Sequence, residues 1–175
     1  MKTKASIVTA LKKIIAKDDS LDIDDATLDA LCEWLHNSYE WEDAAKLYQH
    51  DWPASLKKVS GPTYRGEPFR PQDKKDLEKN TLETAGISWT TDKAVATEFA
   101  KQHDSNYGMV ITYKPKPNEI GLNVDLLLAI PAIAAKVKNR NCTVYPEQEI
   151  LLNRNIHITK DMIELIHVEE NEVED

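Results

Sequence analysis

The fold is restricted above all by a change of pattern around Pro53 and the Gly61-Pro62 pair. Before these residues, apolar side chains recur at the spacing of a helix, and after them come short runs of β-branched and aromatic residues. Proline lacks the backbone donor that a helix interior needs, so the helical pattern ends where these residues stand. Helices first and strands afterwards predict an α+β fold rather than an alternating βαβ fold.

Three helices are expected before the break. The second begins at Asp24 or Asp25, because either side chain can cap its N-terminus, and the third spans about residues 41–49. The apolar residues that define the first helix are Ile7, Val8, Leu11, Ile14 and Ile15, and those of the second are Leu28, Leu31, Cys32 and Leu35.

After the break, the sequence predicts strands at residues 63–66, 86–91, 109–113, 149–152 and 163–168. Residues 68–80 are expected to form an exposed loop or a short helix, and another short helix is expected to begin at Asp92. Pro131 either starts or interrupts a helix within residues 126–137. The apolar face expected for the helix after Asp92 consists of Ala94, Val95, Phe99 and Ala100.

Length and charge narrow the class of protein. The 175 residues, 41% of them hydrophobic, are enough for one domain of ordinary size with a core, and their net charge is −8. Residues 18–43 hold ten acids and residues 161–175 hold seven, and neither stretch contains a lysine or an arginine. Such stretches argue against broad nucleic-acid binding, which needs cations to neutralise phosphates, and suit solubility or a basic protein partner.

The sequence indicates neither a signal peptide nor a membrane segment. Its first residues alternate charged with apolar side chains, and its longest apolar run, residues 126–135, is interrupted by Pro131 and too short to cross a bilayer. Cys32 and Cys142 lie far apart without metal-type spacing, so no disulfide is expected. We therefore expect a cytoplasmic protein.

Several common catalytic motifs are missing from the sequence. The five glycines form neither GxGxxG nor a P-loop, and the five histidines form no HExxH and no ligand cluster. No G-x-S-x-G sequence is present, and Cys32 lies on the apolar stripe of a predicted helix, where a nucleophile is not expected. No metal site is expected either.

Two short segments after the break carry residues suited to ligand binding. Tyr64-Arg65-Gly66 puts an arginine beside a glycine at the end of a predicted strand, and the planar guanidinium fork suits a phosphate. Ser88 and Thr90 alternate along the next strand, so their hydroxyls lie on one face. Taken alone, the first segment is better explained by a surface arginine before a turn, and in the second Thr91 or Asp92 can simply cap the helix that follows.

The third segment is Glu147-Gln148-Glu149, which leads into an apolar strand. In extended backbone, the side chains of Glu147 and Glu149 point to the same side, about 7 Å apart. Two carboxylates this close repel each other, so an isolated pair would ordinarily be exposed. The strand that follows, however, fixes Glu149 at the edge of the core.

In this order and on these elements, Tyr-Arg-Gly, Ser-x-Thr and Glu-x-Glu resemble the mono-ADP-ribosyltransferase family of the Arg-Ser-Glu type. The chain is similar in flavour to the small bacteriophage enzymes that modify host proteins. The resemblance covers about residues 58–169 and implies a split β-sandwich core, with a helical lobe at residues 1–57 before it and an acidic tail at residues 170–175 after it. It also implies NAD as co-substrate and, as partner, a target protein bearing an acceptor arginine, with host transcription or translation machinery as the analogous target.

The resemblance assigns the catalytic roles. Glu149 stabilises the positive charge that develops on the nicotinamide ribose as the glycosidic bond breaks, and Ser88 orients Glu149 with Thr90 in support. Glu147 aligns a guanidinium and takes its proton. Glu-x-Glu therefore implies transfer of ADP-ribose to arginine with release of nicotinamide.

The resemblance also assigns the contacts with NAD. Arg65 holds the pyrophosphate, the Gly66 backbone faces the nicotinamide amide, and Tyr64 belongs to the same motif. Ser88 and Thr90 complete the NAD-binding set.

Three functions other than transfer to arginine are alternatives for this sequence. One is a catalytically inactive binding or inhibitor module on the same fold, and another is an NAD glycohydrolase that transfers ADP-ribose only to water. The third is a glycoside hydrolase using Glu147 and Glu149, which is disfavoured because neighbours on one strand cannot flank a sugar from opposite sides.

Overall fold

The computed structural model describes residues 21–36, 45–47, 50–102, 105–144 and 147–168. Over these residues the chain is α+β, as the sequence predicts, and its paired strands are antiparallel. The first predicted helix, residues 7–15, lies outside the described residues. Of the third predicted helix, residues 45–47 are described and are helical.

The helices and strands follow the pattern changes of the sequence. Pro131 begins a helix, and within the charged stretch at residues 68–80 the chain forms a short helix over Pro71–Glu78, one of the two expected alternatives. The α-helices are α1 (Asp25–His36), α2 (Pro71–Glu78), α3 (Lys93–Lys101), α4 (Val124–Leu128) and α5 (Pro131–Asn139). The strands are β1 (Thr63–Pro68), β2 (Ser88–Thr90), β3 (Tyr107–Tyr113), β4 (Ile120–Asn123), β5 (Glu149–Leu152) and β6 (Ile163–His167).

The chain forms two compact units, and each is discontinuous in sequence. The first unit comprises Met1–Ser60 and Lys116–Asn153, and the second comprises Gly61–Pro115 and Arg154–Asp175. The division into residues 1–57, 58–169 and 170–175 stays a prediction.

The second unit is built on four antiparallel strands in the order β2-β1-β3-β6. Successive side chains of a strand face opposite sides, so β1 divides its residues between two faces. Tyr64 packs against the buried cluster beneath α3, and Gly66 lies on the same face. Arg65 and Glu67 therefore face away from α3.

Two glycines allow α3 to lie directly on these strands. A Cβ atom added at Gly66 would lie 1.9 Å from the carbonyl oxygen of Ala96, and one added at Gly108 would lie 2.2 Å from that of Ala100. Both distances are far below van der Waals contact, so only glycine fits at either position.

This close approach explains why the predicted apolar face of α3 is partly wrong. Ala96 and Ala100 are fully buried, whereas Ala94 and Phe99, which the sequence placed on the buried face, are exposed. The helix contacts the sheet through small residues because the glycines leave no room for larger ones.

In the first unit, β4 and β5 form an antiparallel pair whose residues are all buried. A disulfide between Cys32 on α1 and Cys142 after α5 ties the two helices together, so the expectation of no disulfide is wrong. The fold brings their Cα atoms to 5.5 Å, although 110 positions separate them in sequence. Arg140 adds ion pairs to Asp25 and Asp29 on α1.

The buried face of α1 extends beyond the predicted stripe. Leu28 and Leu31 are buried as expected, but Trp34, which the stripe omitted, is buried as well. No described helix has the length and hydrophobicity that crossing a membrane requires.

Candidate active-site residues

Arg65, the arginine of the first motif, is held inside the second unit by two hydrogen bonds. Its Nε donates to Oε1 of Glu67, and its Nη1 donates to the backbone carbonyl oxygen of Ser88 at 2.6 Å. The Arg65 side chain is 19% exposed and that of Glu67 is 8% exposed. β1 places the two residues on one face because they are two positions apart along the strand.

Glu67 is the residue that sequence reasoning missed in this motif. Besides pairing with Arg65, its Oε1 accepts the backbone N–H of Ala85 at 3.0 Å. The buried carboxylate therefore neutralises the guanidinium and joins β1 to the segment before β2. Its position two residues after Arg65, directly after the strand predicted at residues 63–66, was a signal that could have identified it.

Two of the three guanidinium nitrogens of Arg65 are thus engaged. The third, Nη2, lies against Gly86, where an added Cβ atom would be 3.0 Å from it. A phosphate would have to bind this nitrogen or displace one of the existing bonds. The pyrophosphate role of Arg65 stays a prediction.

The other predicted NAD-binding residues of this unit have structural tasks as well. The Thr90 hydroxyl accepts the backbone N–H of Asp92 at 3.0 Å, just before α3 begins. Ser88 is half-buried and contributes its backbone carbonyl to Arg65. Tyr64 and Gly66 lie on the α3 face of β1, so β1 directs them and Arg65 to opposite sides.

Glu149, the predicted catalytic glutamate, belongs to the first unit. It is the first residue of β5 and is 9% exposed. The indole Nε1 of Trp34 donates to both of its carboxylate oxygens, at 3.0 Å to each. Trp34 is itself 4% exposed, so a rigid buried donor fixes the orientation of a buried carboxylate.

Glu147 precedes β5 and is half-buried. The expected extended backbone between the two glutamates is wrong, because Gln148 has φ = 49° in the left-handed region. Strand alternation therefore does not relate the two side chains. Burial raises the pKa of Glu147 above its ordinary value, which favours the protonated carboxyl relative to an exposed glutamate.

Trp34 is the second residue that sequence reasoning missed. It lies 115 positions before Glu149, and its helical spacing indicates only an apolar side chain. No local pattern could have revealed that its N–H meets a carboxylate on β5.

Chemically, the described residues offer an oriented buried carboxylate, a second carboxylate with a raised pKa, and a half-buried arginine already bound to a carboxylate. Within the described ranges, no group of three or more histidine, cysteine, aspartate or glutamate residues could hold a metal ion. Comparison with known proteins found no matching protein family, no matching curated protein and no matching solved structure.

Proposed function

We propose that this protein is an NAD-dependent mono-ADP-ribosyltransferase that modifies an arginine of a target protein and releases nicotinamide, on a split β-sandwich core. The observation that carries the proposal is the contact between Trp34 and Glu149. A glutamate at the start of a buried strand rarely stays buried without partners, and here an indole N–H holds both of its oxygens. Such a fixed charge is what electrostatic stabilisation of a developing cation requires.

The residues present fit NAD in their chemistry. A dinucleotide needs a cation for its pyrophosphate and a carboxylate near its nicotinamide ribose, and Arg65 and Glu149 supply these two groups. NAD itself supplies the glycosidic C–N bond whose breakage develops positive charge on the ribose. Glu149 would hold its negative charge toward that ribose, and Trp34 would keep the carboxylate from rotating away.

Glu147 supports arginine as the acceptor. The pKa of a guanidinium lies far above neutrality, so the group stays protonated and is not nucleophilic until a base removes its proton. In the proposed transfer, an acceptor nitrogen bonds to the ribose carbon, nicotinamide leaves with the electrons of the broken C–N bond, and the guanidinium proton goes to Glu147. The raised pKa of Glu147 makes it a better base than an exposed glutamate.

One observation favours the second candidate, an inactive binding module on the same fold. The ion pair with Glu67 balances the charge of the Arg65 guanidinium without any ligand. A module that had lost NAD binding would keep such an internal pair for stability alone. In an active enzyme, in contrast, Arg65 would have to bind the phosphate through Nη2 or give up one of its present partners when NAD binds.

The experiment is incubation of the protein with NAD labelled in its adenylate part and with agmatine, a free guanidine. The proposal predicts nicotinamide release and labelled agmatine, both lowered about 100- to 1,000-fold by Glu149→Gln, which retains an acceptor for Trp34. Nicotinamide release without labelled agmatine would indicate an NAD glycohydrolase. Absence of both products from the wild-type protein would favour the binding module.

A further inference from the structure

A second surface of the molecule is independent of the residues discussed so far. In the second unit, α2, the start of β3 and β6 line an open groove with a volume of about 1090 Å³. Its lining combines apolar side chains, which we call the floor, with the charged side chains of Arg70, Lys74, Glu78 and Lys160, which we call the rim. The large apolar side chains that line the groove are those of Phe69, Leu77, Tyr107 and Leu165.

The floor of the groove leaves large apolar side chains in contact with water. Tyr107 is 47% exposed and Leu165 is 52% exposed, and they are two of the four large hydrophobic residues that are exposed among the described residues. Scattered exposed side chains are ordinary, but two such residues in one concave surface indicate a contact site. An apolar group of a partner would remove them from water.

The rim of the groove carries three cations and one acid. Arg70, Lys74 and Lys160 outnumber Glu78, although the whole chain has a net charge of −8. Within the part of the chain that the structure describes, none of these three cations forms an ion pair. The groove is therefore a locally positive region on an acidic protein, and it favours the binding of carboxylates.

We propose that this groove binds an acidic peptide segment of a partner protein, with an apolar side chain against Tyr107 and Leu165 and carboxylates at Arg70, Lys74 and Lys160. A nucleic acid is the less suitable occupant. Its affinity comes mainly from many phosphate contacts, whereas this groove offers three cations, one acid and a broad apolar floor. Charge complementarity and apolar burial together select a protein segment rich in glutamate or aspartate.

The test is fluorescence anisotropy with a labelled synthetic peptide in which leucines alternate with pairs of glutamates, titrated with the full chain at 50 mM and 300 mM salt. The groove variant is Lys74→Glu, and the matched control is Lys75→Glu, the adjacent exposed residue of α2, which does not line the groove. We expect Lys74→Glu to weaken binding about five- to tenfold at low salt and Lys75→Glu to change it less than about twofold. Leu165→Ser should weaken binding at both salt concentrations.

Three results would overturn the proposal. Equal weakening by Lys74→Glu and Lys75→Glu would mean that the peptide responds only to the general charge of the protein. An unlabelled single-stranded oligonucleotide that displaces the peptide and binds more tightly would assign the groove to nucleic acid. No binding at millimolar peptide would remove the groove as a peptide site. None of these outcomes depends on NAD or on Glu149, so they leave the proposed enzymatic function untouched.

Discussion

Replacing Trp34 with phenylalanine keeps a buried aromatic ring and removes the indole N–H that donates to Glu149. Because hydrogen bonds to charged groups contribute about 1.5–3 kcal/mol, we expect Trp34→Phe to lower the free energy of unfolding by about 2 kcal/mol. In a Glu149→Gln background the acceptor is neutral, so the same substitution should cost only about 1 kcal/mol. The difference between the two backgrounds measures the charge-assisted part of the contact.

Trp52→Phe is the matched control for this substitution. Trp52 is also buried in the first unit, but its indole N–H donates to the backbone carbonyl of Leu47, which is neutral. We expect Trp52→Phe to cost the same in the wild-type and Glu149→Gln backgrounds. Urea unfolding followed by far-UV circular dichroism measures all of these free energies.

The same variant separates a positioning role from a merely structural one. If Trp34 orients Glu149 for catalysis, the rate of nicotinamide release by folded Trp34→Phe should fall about 10- to 100-fold while NAD affinity changes little. An equal stability cost in both backgrounds would refute the charge-assisted contact. Unchanged nicotinamide release in a destabilised but folded variant would leave Trp34 as a packing residue only.

Three further predictions concern stability. Because the pKa of Glu147 is raised in the folded protein, the protonated carboxyl stabilises the fold at acid pH, and this stabilisation is lost as the pH rises through the raised pKa. The melting temperature of Glu147→Gln should therefore be higher than that of the wild-type protein at pH 7, and the difference should shrink toward about pH 4. A difference in melting temperature that does not change with pH would refute the assignment. Gly66→Ala should lower the free energy of unfolding, measured in urea, by about 3 kcal/mol, because its Cβ would lie 1.9 Å from a backbone oxygen of α3. A decrease below about 1 kcal/mol would contradict this packing. The disulfide closes a loop of 110 positions, so reducing it frees the unfolded chain and should lower stability by about 3–4 kcal/mol. The Cys32→Ser/Cys142→Ser variant should not respond to reductant, and a wild-type protein that is equally indifferent to reductant would argue against the bond.

The fold class followed from local patterns in the sequence. Proline and glycine at the break, the Asp92 cap of α3 and the apolar runs of β3 and β5 each act over a few residues, so sequence alone located these elements. The buried face of α3 did not follow, because its contact with Gly66 depends on how two separate elements approach each other.

The candidate site was predictable only as separate motifs. Sequence singled out Arg65 and Glu149 but not the residues that bind them, because Glu67 was assigned no role and Trp34 lies far away along the chain. The left-handed backbone at Gln148 was equally invisible, since a glutamine gives no signal for positive φ. The sequence pattern therefore could not predict long-range side-chain contacts or a positive φ angle at a residue other than glycine.

Transfer of ADP-ribose to arginine is tested most directly by the ratio of ADP-ribosyl-agmatine formed to nicotinamide released. This ratio is measured in one reaction for the wild-type protein and in another for Glu147→Gln. The substitution is nearly isosteric and removes only the base assigned to the acceptor. We expect a ratio near one for the wild-type protein, and for Glu147→Gln continued slow nicotinamide release with almost no labelled agmatine. Equal loss of both products in the variant would contradict the role of Glu147, and no nicotinamide release by the wild-type protein would contradict the proposed function itself.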